Sequence, residues 1–397
     1  MKLAKRVGLI KPSPTLAITA KANALKAEGR DIIGFGAGEP DFDTPSHIKN
    51  AGIRAIESGF TKYTPVGGTD ELKDAVIRKL ERENGLSYRR KEIVVSCGAK
   101  HSLYNLAQAL FEEGDEVVVP APYWVSYPDI VVLAGATPVI LPTREEDGFK
   151  MTAAALKKAV TASTRAVIVN SPSNPTGATY TPEELKALAD VLKDTEILVI
   201  SDDIYEKVLY DGFRFSNMAN TGEEMKKRTV VVNGVSKAYS MTGWRIGYAA
   251  GPEALMSAVS NIQSQNTSNP ASISQKASVE ALNGTQEPTE RMVEEFRKRR
   301  DFIVSALNGI PGVTCRLPEG AFYVFPNVAG LYGRKKGDRV IESSVDFAAY
   351  LLDDADVAVV PGSAFGDDRY VRLSYATSAK NIEEGLRRIR SAVLRLE

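Results

Sequence analysis

A lysine and an arginine, Lys237 and Arg245, lie in a segment rich in small residues that runs from Gly234 to Gly247. An uncharged lysine amine can condense with an aldehyde, and burial near other cations lowers a lysine's pKa toward that uncharged form. A guanidinium can bind a phosphate as a charged fork. The segment could therefore anchor a carbonyl group and a phosphate. A surface lysine and a surface ion pair are the simpler alternatives.

A second anion site is indicated at Ser96–Lys100, where a predicted strand passes into a predicted helix. The run contains Gly98 and Ala99. Backbone N–H groups at such a corner bind anions together with the positive end of the helix. Corners with a glycine are common, so this run is informative only in combination with Lys237 and Arg245.

Two polar runs follow the next predicted strands. Asn174 lies in Asn170–Gly177, which is rich in Pro, Asn and Gly and is a turn on the simplest interpretation. Asp202 and Tyr205 lie in Ser201–Tyr205, at the end of the following strand. By itself neither run identifies a function.

These residues are positioned by an alternation of strands and helices. Helical periodicity separates short β-branched runs, and Thr181 before Pro182 is a good helix N-cap. The alternation predicts a mainly parallel α/β sheet. The predicted strands are Glu92–Ser96, Glu116–Pro120, Thr137–Leu141, Arg165–Asn170, Leu198–Asp202, Val230–Val232 and Ile246–Ala250, and the predicted helices are Ser102–Phe111, Pro182–Leu192 and Pro252–Gln263.

The pattern changes after about residue 285, which indicates a second, smaller α+β unit. A long charged helix is predicted over Thr289–Leu307, followed by short strands at Val313–Cys315 and Ala321–Phe325 and a closing helix from Ala379. The first 45 residues fit neither block and are expected to pack on the C-terminal unit. We therefore predict a large domain over residues 46–290 and a small domain built from residues 1–45 and 291–397.

Composition excludes several classes of protein. Lys plus Arg and Asp plus Glu number 50 each, so no global basic field attracts nucleic acid or an anionic membrane surface. Cys97 and Cys315 are too few for a disulfide framework and fit no metal-ligand spacing, so we expect no metal and a reducing compartment. No stretch approaches the roughly 18 apolar residues of a membrane span, and no export signal is visible. A cytoplasmic protein is expected.

In combination, the motifs resemble those of the class I and II pyridoxal-phosphate-dependent aminotransferases, the aspartate aminotransferase family. Gly234–Gly247 matches the cofactor-lysine signature, Asn170–Gly177 resembles N-P-x-N-P-T-G with Ser in place of the first Asn, and Ser201–Tyr205 resembles D-E-x-Y with Asp203 in place of Glu. The resemblance covers nearly the whole chain. It implies fold type I: a large domain with a mainly parallel seven-stranded sheet, and a smaller α+β domain.

The resemblance also implies a cofactor, pyridoxal 5′-phosphate, bound to Lys237 as a Schiff base. Asp202 would pair with the protonated pyridine nitrogen and keep the ring cationic, and a cationic ring stabilises the substrate carbanion. The other implied cofactor contacts are Gly98, Ala99, Lys100 and Arg245 around the phosphate with Tyr63 of the neighbouring subunit, Asn174 and Tyr205 at the phenolic oxygen, and Trp124 on the ring face.

The substrate contacts come from the same resemblance. Arg372 would bind the α-carboxylate, which Gly38 would bind through its backbone N–H, while Trp124 and Asn174 lie close to the substrate. For a second, distal carboxylate the resemblance points to Lys100, Thr15 and Lys11 of the same subunit. It also points to Ser264, which would come from the neighbouring subunit. A homodimer with shared active sites is therefore implied.

The expected function is an aminotransferase that moves the α-amino group of aspartate or glutamate to a 2-oxo acid by a ping-pong mechanism, with prephenate as a further substrate. Two alternatives within the family stay open: an aminotransferase for aromatic or neutral amino acids, and a lyase or synthase on the same fold. A ligand-sensing regulator would need a DNA-binding module. The sequence carries no basic helix-turn-helix pattern.

Overall fold

The computed structural model describes residues 1–10 and 14–397, without the side chains of Pro14, Thr15, Leu16 and Thr19. These residues form fourteen strands and thirteen α-helices. The strands are β1 (Ile33–Gly34), β2 (Ile93–Ser96), β3 (Glu116–Ala121), β4 (Thr137–Pro142), β5 (Thr164–Asn170), β6 (Leu198–Asp202), β7 (Thr229–Gly234), β8 (Gly247–Ala250), β9 (Tyr323–Val324), β10 (Lys335–Lys336), β11 (Arg339–Val340), β12 (Val357–Ala358), β13 (Val360–Pro361) and β14 (Val371–Ser374).

The helices lie between and after the strands along the whole described chain. They are α1 (Pro14–Ala27), α2 (Ser46–Glu57), α3 (Asp70–Asn84), α4 (Ala99–Leu110), α5 (Ser126–Leu133), α6 (Ala153–Ala159), α7 (Pro182–Leu192), α8 (Glu223–Lys226), α9 (Glu253–Asn266), α10 (Ser272–Asn283), α11 (Glu287–Asn308), α12 (Ser344–Ala355) and α13 (Ala379–Val393).

Among the described residues, β2 to β8 form one seven-stranded sheet in the order β2-β8-β7-β6-β5-β3-β4. The neighbouring pairs β4–β3, β3–β5, β5–β6 and β6–β7 are parallel. Strand β8 runs antiparallel to both β7 and β2. The predicted mainly parallel seven-stranded sheet is therefore confirmed.

Helices cover both faces of this sheet. Val117 and Val119 of β3 share a hydrophobic cluster with residues of α4 and α5, whereas Val118 between them packs with residues of α7. Successive side chains of a strand point to opposite faces, so strands buried on both faces read as continuous apolar runs. That is why the sequence pattern here is β-branched rather than alternating.

Local capping explains where α7 begins. The hydroxyl of Thr181 accepts from the backbone N–H of Glu184, and the Glu184 carboxylate accepts from the backbone N–H of Thr181. This reciprocal pair satisfies two donors that the first helical turn leaves free, and Pro182 follows with a preset φ. The predicted bounds of α7 are confirmed.

One predicted strand is wrong. Val313–Cys315 forms only an isolated bridge between Thr314 and Asn327, and the strand predicted over Ala321–Phe325 shortens to β9. The side chain of Asn308 explains the first case, because it accepts from the Cys315 N–H at 2.8 Å and donates to the Cys315 carbonyl at 2.9 Å. A side chain thus satisfies the backbone groups that a neighbouring strand would have bound.

The N-terminal segment packs on the C-terminal part of the chain. Strand β1 pairs in parallel with β12, Phe35 shares the C-terminal core, and Arg30 Nε donates to Asp356 at 2.8 Å. This is the packing expected from the sequence. The domain bounds at residues 45/46 and 290/291 stay a prediction, and α11 runs without interruption across the second of them. None of the described helices has the length and apolar character needed to cross a bilayer.

Candidate active site

A cavity of about 360 Å³ lies where the carboxyl ends of β5, β6 and β7 approach the start of α4. Ligands of open α/β sheets bind at such edges. Ten of the predicted residues line the cavity: Gly38, Ala99, Lys100, Trp124, Asn174, Asp202, Tyr205, Lys237, Arg245 and Arg372. The remaining lining residues were not predicted: Glu39, Leu103, Val125, Tyr127, Asn170, Ile204, Ser236, Thr242 and Tyr323.

Lys237 follows β7 and reaches into the cavity. Its Nζ donates to the carbonyl oxygen of Gly38 at 2.5 Å. Burial lowers the pKa of Lys237 to about 8, an effect that the charge of Glu39 opposes and the charges of Arg245 and Arg372 reinforce. The neutral amine is the nucleophilic form of a lysine, and this lowered pKa makes it accessible near physiological pH.

The corner between β2 and α4 is shaped to hold an anion. Gly98 has a φ of +92°, and a Cβ on it would lie 2.4 Å from a guanidinium nitrogen of Arg245. Only glycine therefore lets the arginine come up against the start of α4. Arg245 donates to the carbonyl oxygens of Thr242 at 2.8 Å and Cys97 at 3.3 Å, which aim the guanidinium. Helix N–H groups and a guanidinium together suit a phosphate.

Asp202 ends β6 at the floor of the cavity and is 3% exposed. The hydroxyl of Tyr127 donates to its Oδ2 at 2.7 Å, and the backbone N–H of Ile204 donates to its Oδ1 at 3.3 Å. Burial raises the pKa of Asp202 to about 6, while these two hydrogen bonds and the charge of Lys237 oppose the rise. The carboxyl group is therefore ionised near pH 7 and can pair with a cation in the cavity.

Arg372 lies on β14 and is 2% exposed. It donates to Asn174 Oδ1 at 3.0 Å and to the Gly36 carbonyl at 2.8 Å, and its guanidinium lies 4.6 Å from the ring centroid of Tyr323. Among the described residues its Nε has no hydrogen-bond partner. An unpaired buried donor is costly, so this guanidinium is prepared for an anionic ligand that enters the cavity.

Two tyrosines meet beside this arginine. The hydroxyls of Tyr205 and Tyr323 are 2.8 Å apart, and both side chains are buried. Burial raises the pKa of both phenols, so each stays protonated and can donate a hydrogen bond. Tyr323 was missed from the sequence because its chain position, far from Tyr205, gave no signal of this contact.

Lys100 and Trp124 lie together at another wall of the cavity. The Lys100 Nζ is 4.8 Å from the ring centroid of Trp124, within the range of a cation–π contact. Lys100 is exposed at the surface, yet partial burial of its amine and the nearby charge of Arg245 lower its pKa. Both predicted residues line the cavity.

Two predicted residues, Tyr63 and Ser264, do not line this cavity, and neither does Gly98, the chain neighbour of Ala99. Tyr63 is 93% exposed, and Ser264 is exposed on α9, where its hydroxyl donates to the Asn261 carbonyl at 2.7 Å. Both were predicted to act from a neighbouring subunit, so one chain cannot bring them in. Thr15 lies on α1, but its side chain is outside the described residues, and Lys11 is outside them altogether.

The described part of the chain contains no group of three or more His, Cys, Asp or Glu side chains that could hold a metal ion.

Known proteins resemble the chain closely. The family model described as aminotransferase class I and II matches residues 30–389. An aspartate/prephenate aminotransferase of Nitrosomonas europaea is 55% identical, with 98% of this chain and 99% of the relative covered. An aspartate aminotransferase of Geobacillus stearothermophilus is 53% identical, with 98% of each chain covered.

Solved structures of aspartate aminotransferases have the same fold as this chain. The crystal structure of the aspartate aminotransferase from Rhizobium meliloti has a TM-score of 0.97 and 50% identity, with 100% of both chains covered. The aspartate aminotransferase from Thermus thermophilus with maleate has a TM-score of 0.92 and 43% identity, covering 99% of this chain and 100% of the other.

Proposed function

The chain belongs to the class I and II aminotransferase family, and on that basis we propose that it moves the α-amino group of a dicarboxylic amino acid to a 2-oxo acid with pyridoxal 5′-phosphate as its cofactor. The observation that carries the proposal is the placement of Lys237, Asp202 and Arg372 around one cavity. These supply a nucleophilic amine, a buried carboxylate and a buried guanidinium. A phosphate cradle at Gly98 completes the set.

The cavity fits this cofactor at each end. Gly98, Ala99 and Arg245 would bind the phosphate, because the helix start and the guanidinium meet there without an intervening side chain. Asp202 would hold a proton on the pyridine nitrogen from the opposite end. When bound, pyridoxal phosphate supplies an electron sink for the electrons released at the α-carbon of the amino acid.

The protein's own residues then bind, orient and move a proton. Arg372 holds the substrate α-carboxylate, helped by the backbone of Gly38 and by Asn174. The Lys237 amine takes the proton from the α-carbon and later returns it, which needs a base whose pKa is close to the working pH. Trp124 lines the same cavity and would lie against the face of the cofactor ring.

Amino donors assayed with 2-oxoglutarate and oxaloacetate test the proposed function. We expect aspartate and glutamate to be the best donors and amino transfer to require the 2-oxo acid. A lyase or synthase would release product without a 2-oxo acid, and a preference for aromatic or neutral donors would contradict the dicarboxylate assignment. Prephenate, accepted according to its name by the Nitrosomonas europaea relative, is proposed as a further acceptor.

Lys100 is proposed to bind the distal carboxylate of the substrate. Lys100 lines the cavity, and its ammonium lies 4.8 Å from the ring centroid of Trp124. The Thermus thermophilus relative was solved with maleate, a dicarboxylate, which supports a second anion site in this group of enzymes. Lys11, Thr15 and the neighbouring subunit's copy of Ser264 are proposed to contribute to the same pocket.

Lys100→Ala is expected to lower kcat/KM for aspartate and glutamate by about tenfold or more, a loss of about 1.4 kcal/mol per factor of ten. Transamination of uncharged amino acids should be spared, because it makes no use of the distal charge. Steady-state kinetics with both substrate classes measure the ratio. Lys157→Ala, which removes an exposed charge on α6, is the control. An equal loss for acidic and neutral substrates would mean that Lys100 serves the cofactor or the fold.

We also propose a cytoplasmic homodimer whose active sites are shared, with Tyr63 reaching the phosphate of the other subunit. Tyr63 is 93% exposed, and Ile53 and Ile56 of α2, the helix that precedes it in the chain, are exposed apolar side chains as well. Exposed apolar surface of this kind is typical of interfaces.

Subunit mixing tests the shared site. A Lys237→Ala dimer lacks the amine, and a Tyr63→Ala dimer should bind the cofactor more weakly. Mixed dimers contain one site with both residues intact, so we expect a fraction of sites with normal cofactor affinity and activity to reappear when the two variants are co-expressed. Sedimentation should give about twice the 43.0 kDa chain mass. A monomer, or no recovery on mixing, would contradict the shared site.

A further inference from the structure

Tyr127 connects two parts of the cavity wall. It lies on α5, is 3% exposed and donates its hydroxyl hydrogen to Asp202 Oδ2 at 2.7 Å. Its ring packs edge-on against the ring of Trp124, with centroids 5.3 Å apart and an interplanar angle of 83°. The same side chain therefore touches the carboxylate at the cavity floor and the indole at the cavity wall.

We propose that Tyr127 is a positioning residue, whose hydroxyl keeps the Asp202 carboxylate ionised and correctly oriented and whose ring supports Trp124. The inference rests on the proposed function, because Asp202 and Trp124 are the groups assigned there to the cofactor ring. It goes beyond that function by assigning a task to a side chain that belongs to neither the substrate contacts nor the cofactor contacts.

Asp202 is almost completely buried. Burial favours the neutral acid, and the hydrogen bond from Tyr127 is the largest effect that favours the anion. Three other titratable groups face this carboxylate: Lys237 after β7 stabilises its charge, while Asp203 and Tyr205, next along the chain, are electrostatically coupled to it. Lys237 is the group that would react with the cofactor, so the constant donors to Asp202 are the Tyr127 hydroxyl and the more distant backbone N–H of Ile204.

Tyr127 can act only as a donor to this carboxylate. Burial and the charge of Asp202 hold the pKa of Tyr127 well above its usual value of 10, so the phenol stays protonated wherever the protein is folded. A donor that is always protonated stabilises the charged form of its acceptor.

Orientation follows from the two bonds that Asp202 accepts. Oδ2 takes the tyrosine hydroxyl at 2.7 Å, and Oδ1 takes the Ile204 N–H at the longer distance of 3.3 Å. An ionised carboxylate has about four lone-pair sites, so both oxygens keep acceptor capacity toward the cavity. Without the hydroxyl, only the long backbone bond would fix the carboxylate plane.

Tyr127→Phe tests the proposal, because it removes the hydroxyl and keeps the ring against Trp124. The first measurement is the free energy of unfolding of the full, cofactor-free chain in urea at pH 5 and pH 8. Tyr350→Phe is the matched control, because Tyr350 is also buried and its hydroxyl donates to the Ala392 carbonyl at 2.9 Å. Removing that hydroxyl takes away a hydrogen bond to a neutral group and leaves the ionisation of carboxylates unchanged.

The expected sign follows from the raised pKa of Asp202. An acid whose folded-state pKa lies above its unfolded value loses stability as pH rises from the unfolded pKa to the folded pKa. Tyr127→Phe should raise the folded pKa of Asp202 from about 6 by about one unit, equivalent to about 1.4 kcal/mol. The variant should therefore lose this additional stability at pH 8 and almost none of it at pH 5, whereas the Tyr350→Phe cost should not depend on pH.

The double variant isolates the pair. In the Asp202→Asn background, Tyr127→Phe should cost the same at both pH values. In the cofactor-loaded enzyme, Tyr127→Phe alone should lower kcat about tenfold and leave KM unchanged. The proposal would be overturned if the stability cost of Tyr127→Phe did not depend on pH in the chain that keeps Asp202. It would also be overturned if the same pH-dependent cost remained in the Asp202→Asn variant.

The two levels of inference fail separately. If the wild-type chain neither binds pyridoxal phosphate nor transfers amino groups, the proposed function fails, and the cofactor-free measurement still reports whether Tyr127 and Asp202 are coupled. If transamination is normal but the coupling is absent, or if kcat is unchanged in Tyr127→Phe, only the role of Tyr127 is lost.

Discussion

Lys237→Ala is expected to abolish amino transfer, with a fall in turnover of about four orders of magnitude or more, because it removes the nucleophile and the base together. The folded state should persist, since among the described residues the Lys237 amine makes a single hydrogen bond, to the Gly38 carbonyl. Lys73→Ala is the control: Lys73 is also half-buried with a lowered pKa, but it lies outside the cavity.

The attachment point can be measured directly. The wild-type protein should be yellow when purified with pyridoxal phosphate, and borohydride should fix the cofactor irreversibly to one lysine. Peptide mapping is expected to find it on Lys237. Recovery of the reduced cofactor on Lys100 or on any other lysine would refute the assignment of the cavity.

Asp202→Asn is expected to lower turnover by about a hundredfold to a thousandfold, the range observed when one preorganised electrostatic group is removed. Asparagine is nearly the same size as aspartate but cannot supply the negative charge that keeps a proton on a ring nitrogen. Cofactor affinity should fall much less, because the phosphate is proposed to bind at Gly98, Ala99 and Arg245, away from this substitution.

The neighbouring carboxyl group provides the control for that experiment. Asp203 is equally buried, accepts from Ser201 and Asn217 and does not line the cavity. Asp203→Asn should therefore change stability rather than turnover. Near-normal turnover in Asp202→Asn, or equal losses in the two variants, would rule out a specific charge effect at Asp202.

The sheet and the floor of the cavity could be predicted from the sequence because their signals are local. Most of the β-branched runs in the large sheet mark buried strands, and residues at or just after the end of a parallel strand lie at its carboxyl end, as Asp202 and Asn174 do. Lys237 and Arg245 occur in one short segment, so their proximity also required no long-range information. Arg372 could be identified only through the family resemblance.

The remaining features depend on contacts between distant parts of the chain. Tyr127 lies 75 residues from Asp202, and Tyr323 lies 118 residues from Tyr205, so no periodicity or motif links the members of either pair. The false strand at Val313–Cys315 has a similar cause, because a single side chain satisfied backbone groups that the pattern assigned to a sheet.

The pairing of β1 with β12 has a consequence for how the protein is made. The segment after β1 carries Gly36, whose carbonyl accepts from Arg372, and Gly38, whose carbonyl accepts from Lys237. Arg372 follows Gly36 by 336 residues. A ribosome adding about 5 to 20 residues per second takes on the order of tens of seconds to cover that distance. During translation, the segment that carries both glycines must therefore wait for its partner strand. The cavity is completed only when β14, which carries Arg372, has emerged.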